Sequence, residues 1–266
     1  HLPTIFIPAG PMSSGIPNEE KARVRKAFAK GEASREELLK AENSSYHGEG
    51  TCTFYGTANS NQMLMEIMGL HLPGSSFVPP NTPLRTALTK LATKRALEIT
   101  SLGKYFTPAY QILDEKAFVN GIVGLMATGG STNLVLHLPA MAKAAGIKIE
   151  LSDFDDISSV TPLMAKIYPN GLADVNHFHA AGGLNYMISQ LLEYGYLHND
   201  VQTIMGLGLE TYTKEPKLVD GKIEYVPSST KTHNEKILRP VIDPFQKSGG
   251  IKRLDGNLGT CIIKIS

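Results

Sequence analysis

Among the 266 residues of this chain, Cys52 has the surroundings that most clearly indicate chemistry. It lies in a loop of small and polar residues at 50–61, and an apolar helical run at 63–68 follows directly. A thiol just before a helix lies at the positive end of the helix dipole, which favours the thiolate. Nucleophiles and iron–sulfur ligands both need the thiolate form. A buried structural cysteine is the alternative that residue type alone leaves open.

Other polar segments could contact a ligand. The segment Gly-Gly-Ser-Thr-Asn at 129–133 precedes a predicted helix, where free amides and hydroxyls can bind an anion, although it equally suits close helix packing. Two histidines lie near the start of a predicted helix, but residues two apart on a helix do not share a face, so a metal pair is not expected. The candidate substrate-binding residues are Ser75, Ser76, Ser131, Thr132, His177 and His179.

The bulk composition narrows the class of protein. The chain is 42% hydrophobic and 19% charged, which is ordinary for a globular protein, and its formal charge of +1 does not indicate nucleic-acid or membrane binding. Two cysteines do not form a disulfide framework, and the N-terminus lacks a signal-peptide pattern, so we expect a reducing, cytoplasmic location. Neither the GxGxxG nor the GxxxxGK[ST] nucleotide-binding fingerprint occurs.

Short apolar runs alternate with longer helical patterns, which predicts an α/β fold with a parallel sheet and helical crossovers. The helices are predicted at 18–30, 34–42, 59–70, 82–99, 114–127, 133–146 and 174–194, and the strands at 4–7 and 163–168. Asp220 and Gly221 predict a hairpin turn. Two further strands at 249–265 predict a second, β-barrel-like domain, so the expected domains are 1–245 and the truncated 246–266.

Five short motifs in one order resemble the dihydroxy-acid/6-phosphogluconate dehydratase family, and the resemblance covers nearly the whole chain. The motifs are Gly-Pro-Met at 10–12, Cys52 with Thr-Ala-Asn at 57–59, Gly-Gly-Ser-Thr-Asn at 129–133, Pro-Asn-Gly at 169–171 with Ala-Gly-Gly at 181–183, and Gly-Asn-Leu at 256–258. Within the family, the stretches at 50–59, 72–78 and 176–183 look like the 6-phosphogluconate branch.

The resemblance implies a hydro-lyase that dehydrates 6-phospho-D-gluconate to 2-keto-3-deoxy-6-phosphogluconate in the Entner–Doudoroff pathway. It implies an iron–sulfur cluster, 4Fe–4S or alternatively 2Fe–2S with Mg²⁺, with iron as Lewis acid on the departing hydroxyl. Cys52 falls at a cluster-ligand position, whereas Cys261 does not. The resemblance also implies a homodimer acting on a small sugar-acid phosphate, with no nucleic-acid or membrane partner.

Parts of the family pattern are missing from the chain. It contains neither the Cys-Asp-Lys motif with its further cluster cysteine nor the late serine signature. Because one cysteine cannot hold a cluster that needs several thiolates, we expect a central piece of a longer enzyme, inactive alone, with its catalytic residues elsewhere. In this interpretation, residues 1–245 form an N-terminally incomplete cluster- and substrate-binding domain.

Three alternatives remain open. One is a dihydroxy-acid or sugar-acid dehydratase of the same family, and another is a non-catalytic binding or scaffold domain. The third is a thiol enzyme with Cys52 as nucleophile and His47 or a distant histidine as base.

Overall fold

The computed structural model describes residues 2–45 and 48–266, and the described residues combine helices with short strands. The helices are α1 Asn18–Ala29, α2 Arg35–Asn43, α3 Thr57–Ile67, α4 Pro83–Glu98, α5 Ala109–Ile112, α6 Glu115–Thr128, α7 Leu134–Ala144, α8 Leu151–Val160, α9 Val175–Ala180 and α10 Gly183–Glu193. The strands are β1 Gln202–Thr203, β2 Gly206–Leu207, β3 Lys214–Val219, β4 Lys222–Pro227, β5 Ile251–Gly256 and β6 Gly259–Lys264. This mixture confirms the predicted α/β class. None of the described helices is long and apolar enough to cross a membrane.

The strands pair differently from the prediction. Within the described ranges they form three antiparallel two-stranded hairpins, β1–β2, β3–β4 and β5–β6, so the predicted parallel sheet with helical crossovers is wrong there. The run at 4–7 forms no strand, and Phe6 and Ile7 are 48% and 46% exposed, whereas a central parallel strand is buried on both faces. The segment at 163–168 makes only isolated bridges, from Leu163 to Gln246 and from Ala165 to Leu238.

The helix α6 lies in the core, and small residues on it let α3 approach closely. A Cβ at Gly121 would lie 2.7 Å from Leu64 Cδ1, and one at Gly124 would lie 2.8 Å from Met63 Sδ. The methionines at 63 and 68 are buried in this cluster, as expected for core residues. This packing fixes α3, whose first residue follows the loop at 50–56 that carries Cys52, called the cysteine loop below.

Capping signals in the sequence locate several helix ends. Ser34 and Glu37 form a capping box at the start of α2, where the helix at 34–42 was predicted, and the Thr82 side chain caps α4. The single helix predicted at 174–194 is wrong, because α9 and α10 are separated around Gly182. Gly182 and Gly183 have φ angles of 131° and 58°, which a right-handed helix does not allow.

The hairpin β5–β6 packs against α8, a helix that sequence reasoning missed. Ser158 Oγ donates to Ile251 O at 2.6 Å, and Gly249 N donates to Ser158 O at 2.7 Å. Lys252 Nζ also lies 2.9 Å from Asp155 Oδ2. These contacts attach the hairpin to the helices, and the domain boundary at residue 246 stays a prediction.

Candidate functional site

The cysteine loop is paired on one side with the Gly-Pro-Met motif. Thr51 N donates to Gly10 O at 2.9 Å, and Met12 N donates to Thr51 O at 2.9 Å. Gly10 has a φ of +77°, and a Cβ there would clash with Val78 O, so only glycine fits this position. The motif at 10–12 therefore supports the residue that precedes Cys52.

On its other side, the cysteine loop contacts the segment that contains the Pro-Asn-Gly motif. Val175 N donates to Thr53 O at 3.0 Å, and Tyr55 N donates to Tyr168 O at 2.9 Å. The rings of Phe54 and Tyr168 lie 4.3 Å apart between their centroids. Backbone bonds on both sides thus restrict the loop that carries the thiol.

The Cys52 thiol is partly accessible and lies near a buried cation. Its Sγ accepts a hydrogen bond from Phe54 N at 3.5 Å. Lys21 Nζ lies 5.2 Å from the centre of the Phe54 ring. Burial lowers the pKa of Lys21, and electrostatic interactions with Asp174 and Cys52 oppose that shift. A partly accessible thiol can contact a metal or another ligand, which disfavours the inert buried cysteine considered above.

The Gly-Gly-Ser-Thr-Asn motif packs against the start of α3, just after the cysteine loop. Ser131 Oγ lies 3.1 Å from Thr57 Oγ1, and Asn133 Nδ2 donates to Thr57 Oγ1 at 2.7 Å. Ser131 N donates to Ser60 Oγ at 3.0 Å, so this amide already has a protein acceptor. The close-packing interpretation therefore explains the glycines best, while Thr132 remains half-buried beside them.

A further contact joins this motif to the Pro-Asn-Gly turn. Asn170 Nδ2 donates to Gly129 O at 2.9 Å and to Ser266 Oγ at 2.8 Å. The segments at 10–12, 50–59, 129–133 and 169–171 are thus linked through direct contacts. The fifth motif, at 256–258, instead forms the exposed turn of β5–β6, where Leu258 is almost fully exposed.

Ser75 and Ser76 lie inside a buried polar network. Glu66 accepts hydrogen bonds from Gly74 N at 2.8 Å and from Ser76 N at 2.9 Å. Arg85 donates to Ser75 O, and it also donates to Val78 O at 2.7 Å. Both serines are only 1% exposed in this structure, so their contact with a substrate stays a prediction.

The charges of this network follow from its burial. Desolvation raises the pKa of Glu66, against the effect of its bonds to the loop amides and of the nearby Arg85. Desolvation lowers the pKa of Arg85 to about 10, which leaves the guanidinium charged at neutral pH. The network therefore holds the loop at 73–78 with groups that are shielded from solvent.

The two candidate histidines line different pockets. His177 Nδ1 lies 2.7 Å from Asp174 Oδ1, and its ring lines a 360 Å³ pocket with Lys21 and Ser14. His179 lines a second pocket of 360 Å³ between α9 and the β3 strand. Burial lowers the pKa of His179. Only the pocket of His177 is shared with Lys21, the cation near Cys52.

In the part of the chain that the structure describes, no three His, Cys, Asp or Glu side chains come together as a metal site. Cys52 offers a single cysteine sulfur, the ligand type that iron–sulfur clusters use. Cys261 is exposed on β6, where it lies opposite Leu254 in the β5–β6 hairpin. His47 lies outside the described residues, so its pairing with Cys52 stays a prediction. The residues present fit one ligand position of a cluster.

Two kinds of comparison relate this chain to known proteins. Residues 1–212 match the family model described as Dihydroxy-acid/6-phosphogluconate dehydratase N-terminal. The chain is 60% identical over 267 residues to the phosphogluconate dehydratase of Rhizobium meliloti (strain 1021) and 55% identical over 266 residues to that of Pseudomonas aeruginosa. Both alignments cover 100% of this chain and 44% of the relative.

A relative with a different name is less similar. The dihydroxy-acid dehydratase of Maridesulfovibrio salexigens is 35% identical over 274 residues, which cover 100% of this chain and 47% of that protein. The chain thus spans less than half the length of these curated relatives.

Proposed function

The chain belongs to the dihydroxy-acid/6-phosphogluconate dehydratase family, and from that premise we propose that the whole protein is a phosphogluconate dehydratase. The proposed reaction is the dehydration of 6-phospho-D-gluconate to 2-dehydro-3-deoxy-6-phosphogluconate in the Entner–Doudoroff pathway. The observation that carries the substrate assignment is the difference in identity. The chain is 60% identical to a phosphogluconate dehydratase, against 35% to a dihydroxy-acid dehydratase.

An iron–sulfur cluster belongs to this proposal, with 4Fe–4S preferred to 2Fe–2S plus Mg²⁺. Cys52 would hold it through one thiolate, and the other ligands would come from beyond this chain. When bound, such a cluster supplies a Lewis-acidic iron for the departing hydroxyl. The support in this structure is the partly accessible thiol in a loop that is restrained on both sides.

The residues around Cys52 suit a polar, anionic substrate. Lys21 contributes a cation, and the pocket that it shares with His177 also contains the Ser14 hydroxyl. On the other side of the cysteine loop, Thr57 and Ser131 bring further hydroxyls to the start of α3. These groups would bind and orient the hydroxyls and the acid groups of the substrate. The proposal also keeps the expected cytoplasmic homodimer.

The first experiment tests the ligand assignment in the full-length protein, purified without oxygen. We expect Cys52→Ser to lose most of its iron, sulfide and visible absorbance, because the cluster loses a thiolate. Cys261→Ser is the matched control and is expected to keep all three, because this thiol lies on an exposed strand. Normal cluster content in Cys52→Ser would refute the assignment.

The second experiment tests the substrate. Keto-acid formation by the full-length protein is measured anaerobically with 6-phosphogluconate and with dihydroxy-isovalerate. We expect turnover of 6-phosphogluconate only. A preference for dihydroxy-isovalerate would assign the protein to the dihydroxy-acid dehydratase branch instead. The isolated 266-residue chain is expected to show no turnover and no stable cluster, because groups that act as a unit fail together.

A non-catalytic binding domain is the second candidate, which the sequence left open. Absence of turnover in the full-length protein with its cluster fully loaded would support this candidate and contradict the dehydratase.

A further inference from the structure

Asn59 is fully buried and uses its whole hydrogen-bonding capacity beside Cys52. Its Nδ2 donates to Cys52 O at 2.6 Å and to Phe54 O at 2.7 Å. Its Oδ1 accepts from Thr51 Oγ1 at 2.9 Å and from Gln62 Nε2 at 2.8 Å. A side-chain amide has two donor hydrogens and two acceptor lone pairs, so no capacity is left unused.

Backbone groups determine which way this amide points. Gly10 N can only donate, and it donates to Gln62 Oε1 at 2.9 Å, so Gln62 must present its Nε2 to Asn59. The carbonyls of Cys52 and Phe54 can only accept, so Asn59 must present its Nδ2 to them. Both constraints give the same orientation of Asn59. A continuous series of hydrogen bonds therefore runs from the Gly10 amide to the Cys52 carbonyl.

The same bonds also affect the sulfur. Phe54 N donates to Cys52 Sγ at 3.5 Å. The carbonyl of Phe54 in turn accepts a hydrogen bond from Asn59 Nδ2. Asn59 thus fixes the backbone of Cys52 and the backbone of Phe54, whose amide donates to the Cys52 sulfur. Hydrogen bonds to ligand sulfurs are among the features that set the properties of iron–sulfur clusters.

We propose that Asn59 is the positioning residue of the Cys52 loop, and that Gln62 sets its orientation from the Gly10 loop. This inference rests on the proposed function, in which Cys52 is a cluster ligand. When a residue that hydrogen-bonds to a metal ligand and orients it is replaced, metal affinity typically changes about 10–100-fold. A residue that served folding alone would change stability without changing the cluster in the protein that does fold.

The test uses Asn59→Asp in the full-length protein, loaded and handled without oxygen. Aspartate keeps the shape of asparagine but donates one hydrogen bond when protonated and none when ionised, so at least one of the contacts with the Cys52 and Phe54 carbonyls is lost. We expect the variant to lose iron to a chelator about tenfold more readily than the wild type. We also expect a changed EPR spectrum of the reduced cluster, because the hydrogen bond to the sulfur is altered.

Asn61→Asp is the matched control. It lies on the same helix and donates from its Nδ2 to Thr57 O at 2.9 Å, within the first turn of α3. Since this bond does not involve the cysteine loop, iron retention and the EPR spectrum are expected to match those of the wild type.

A second variant covers the case in which Asn59→Asp does not fold. Gln62→Glu keeps an oxygen for Gly10 N but replaces the Nε2 donor, which removes the constraint on the Asn59 amide. It is expected to change the EPR spectrum in the same direction, with a smaller loss of iron. Folding of each variant is checked by circular dichroism before the cluster is measured.

The outcomes separate this inference from the proposed function. If a folded Asn59→Asp keeps wild-type iron retention and an unchanged EPR spectrum, Asn59 is not a positioning residue. If both Asn59→Asp and Gln62→Glu fail to fold, the role of Asn59 is structural and the inference is overturned. If Cys52→Ser keeps its cluster, the proposed function fails instead, whatever the Asn59 variants show.

Discussion

Replacing His71 with asparagine is expected to reduce the loss of stability that acidification causes. The His71 ring is 2% exposed, and its Nδ1 lies 3.0 Å from Ser76 Oγ. Because Ser76 Oγ donates its own hydrogen to Gln62 O at 2.8 Å, Nδ1 must carry a proton and donate. Burial lowers the pKa of His71 to about 3, and the nearby charge of Arg85 adds to the shift.

The magnitude follows from proton linkage. An unfolded histidine has a pKa of about 6.5, so below that pH the unfolded state binds a proton that the folded state does not. The stability that neutral His71 contributes is complete above pH 6.5 and falls as the pH drops toward 3. The slope is about 1.4 kcal/mol per pH unit, which gives a loss of about 2 kcal/mol at pH 5. This value is nearly the same for any folded pKa below about 4.

Glu66 works in the opposite direction within the same network. Burial raises the pKa of its carboxyl, so the folded state takes up a proton more readily than the unfolded state as the pH falls. This uptake stabilises the folded protein in acid. Glu66 is present in both proteins, and the causes of the His71 shift are burial and Arg85, so the contribution of Glu66 is common to His71→Asn and the wild type at each pH.

The assay is equilibrium urea unfolding of both proteins at pH 7 and at pH 5. His71→Asn is expected to be destabilising at pH 7, and the free-energy difference is expected to shrink by about 2 kcal/mol at pH 5. Leu72→Ala is the control, because it removes a buried neighbour that carries no proton and its cost should not depend on pH. A cost of His71→Asn that agrees at the two pH values within about 0.5 kcal/mol would refute the reasoning.

Three further substitutions test packing, capping and docking. Gly124→Ala places a Cβ 2.8 Å from Met63 Sδ and is expected to cost about 1–3 kcal/mol in urea unfolding; an unchanged midpoint would mean that α3 can move aside. Thr82→Ala removes the side-chain cap of α4 and is expected to cost about 1 kcal/mol in the same assay, and no cost would show that the cap contributes nothing. Ser158→Ala removes the bond to Ile251 O, so amide exchange in β5–β6 is expected to speed up, and unchanged exchange would show that other contacts hold the hairpin.

The sequence predicted those helix starts that are determined by residues close to them in the chain. The capping box of Ser34 and Glu37 and the cap at Thr82 lie within a few residues of the helices that they begin. The break at Gly182 was not predictable in this way, because a glycine in a helical pattern does not reveal its φ angle. The apolar run at 4–7 also failed as a strand signal, because tertiary packing, and not the run itself, decides whether Phe6 is covered.

In the candidate site, too, some residues are indicated by their local sequence and others only by contacts between distant segments. Cys52 could be proposed as a ligand because its loop and the following helix are adjacent in sequence. The role of Asn59 was not, because its orientation depends on Gly10, about fifty residues away, through Gln62. His177 could be proposed from its residue type, but its contact with Asp174 and its pocket could be described only from the structure.

One helix explains why segments far apart in the sequence meet at Cys52. Asn59, Gln62 and Glu66 follow one another along α3 at spacings of three and four residues, so they lie along the same side of the helix. Asn59 bonds to the cysteine loop, Gln62 to the loop at 10–12, and Glu66 to the loop at 73–78.

The apolar residues of α3 complete this arrangement. Leu64 and Met63 pack against the glycines of α6, while Ser60 accepts the amide of the 129–133 motif. The buried side of a helix needs a partner for each polar group, and for Asn59, Gln62 and Glu66 those partners include loops. Each loop is therefore anchored directly to one rigid element, in addition to its bonds with other loops, and this arrangement holds a ligand within a narrow range of positions.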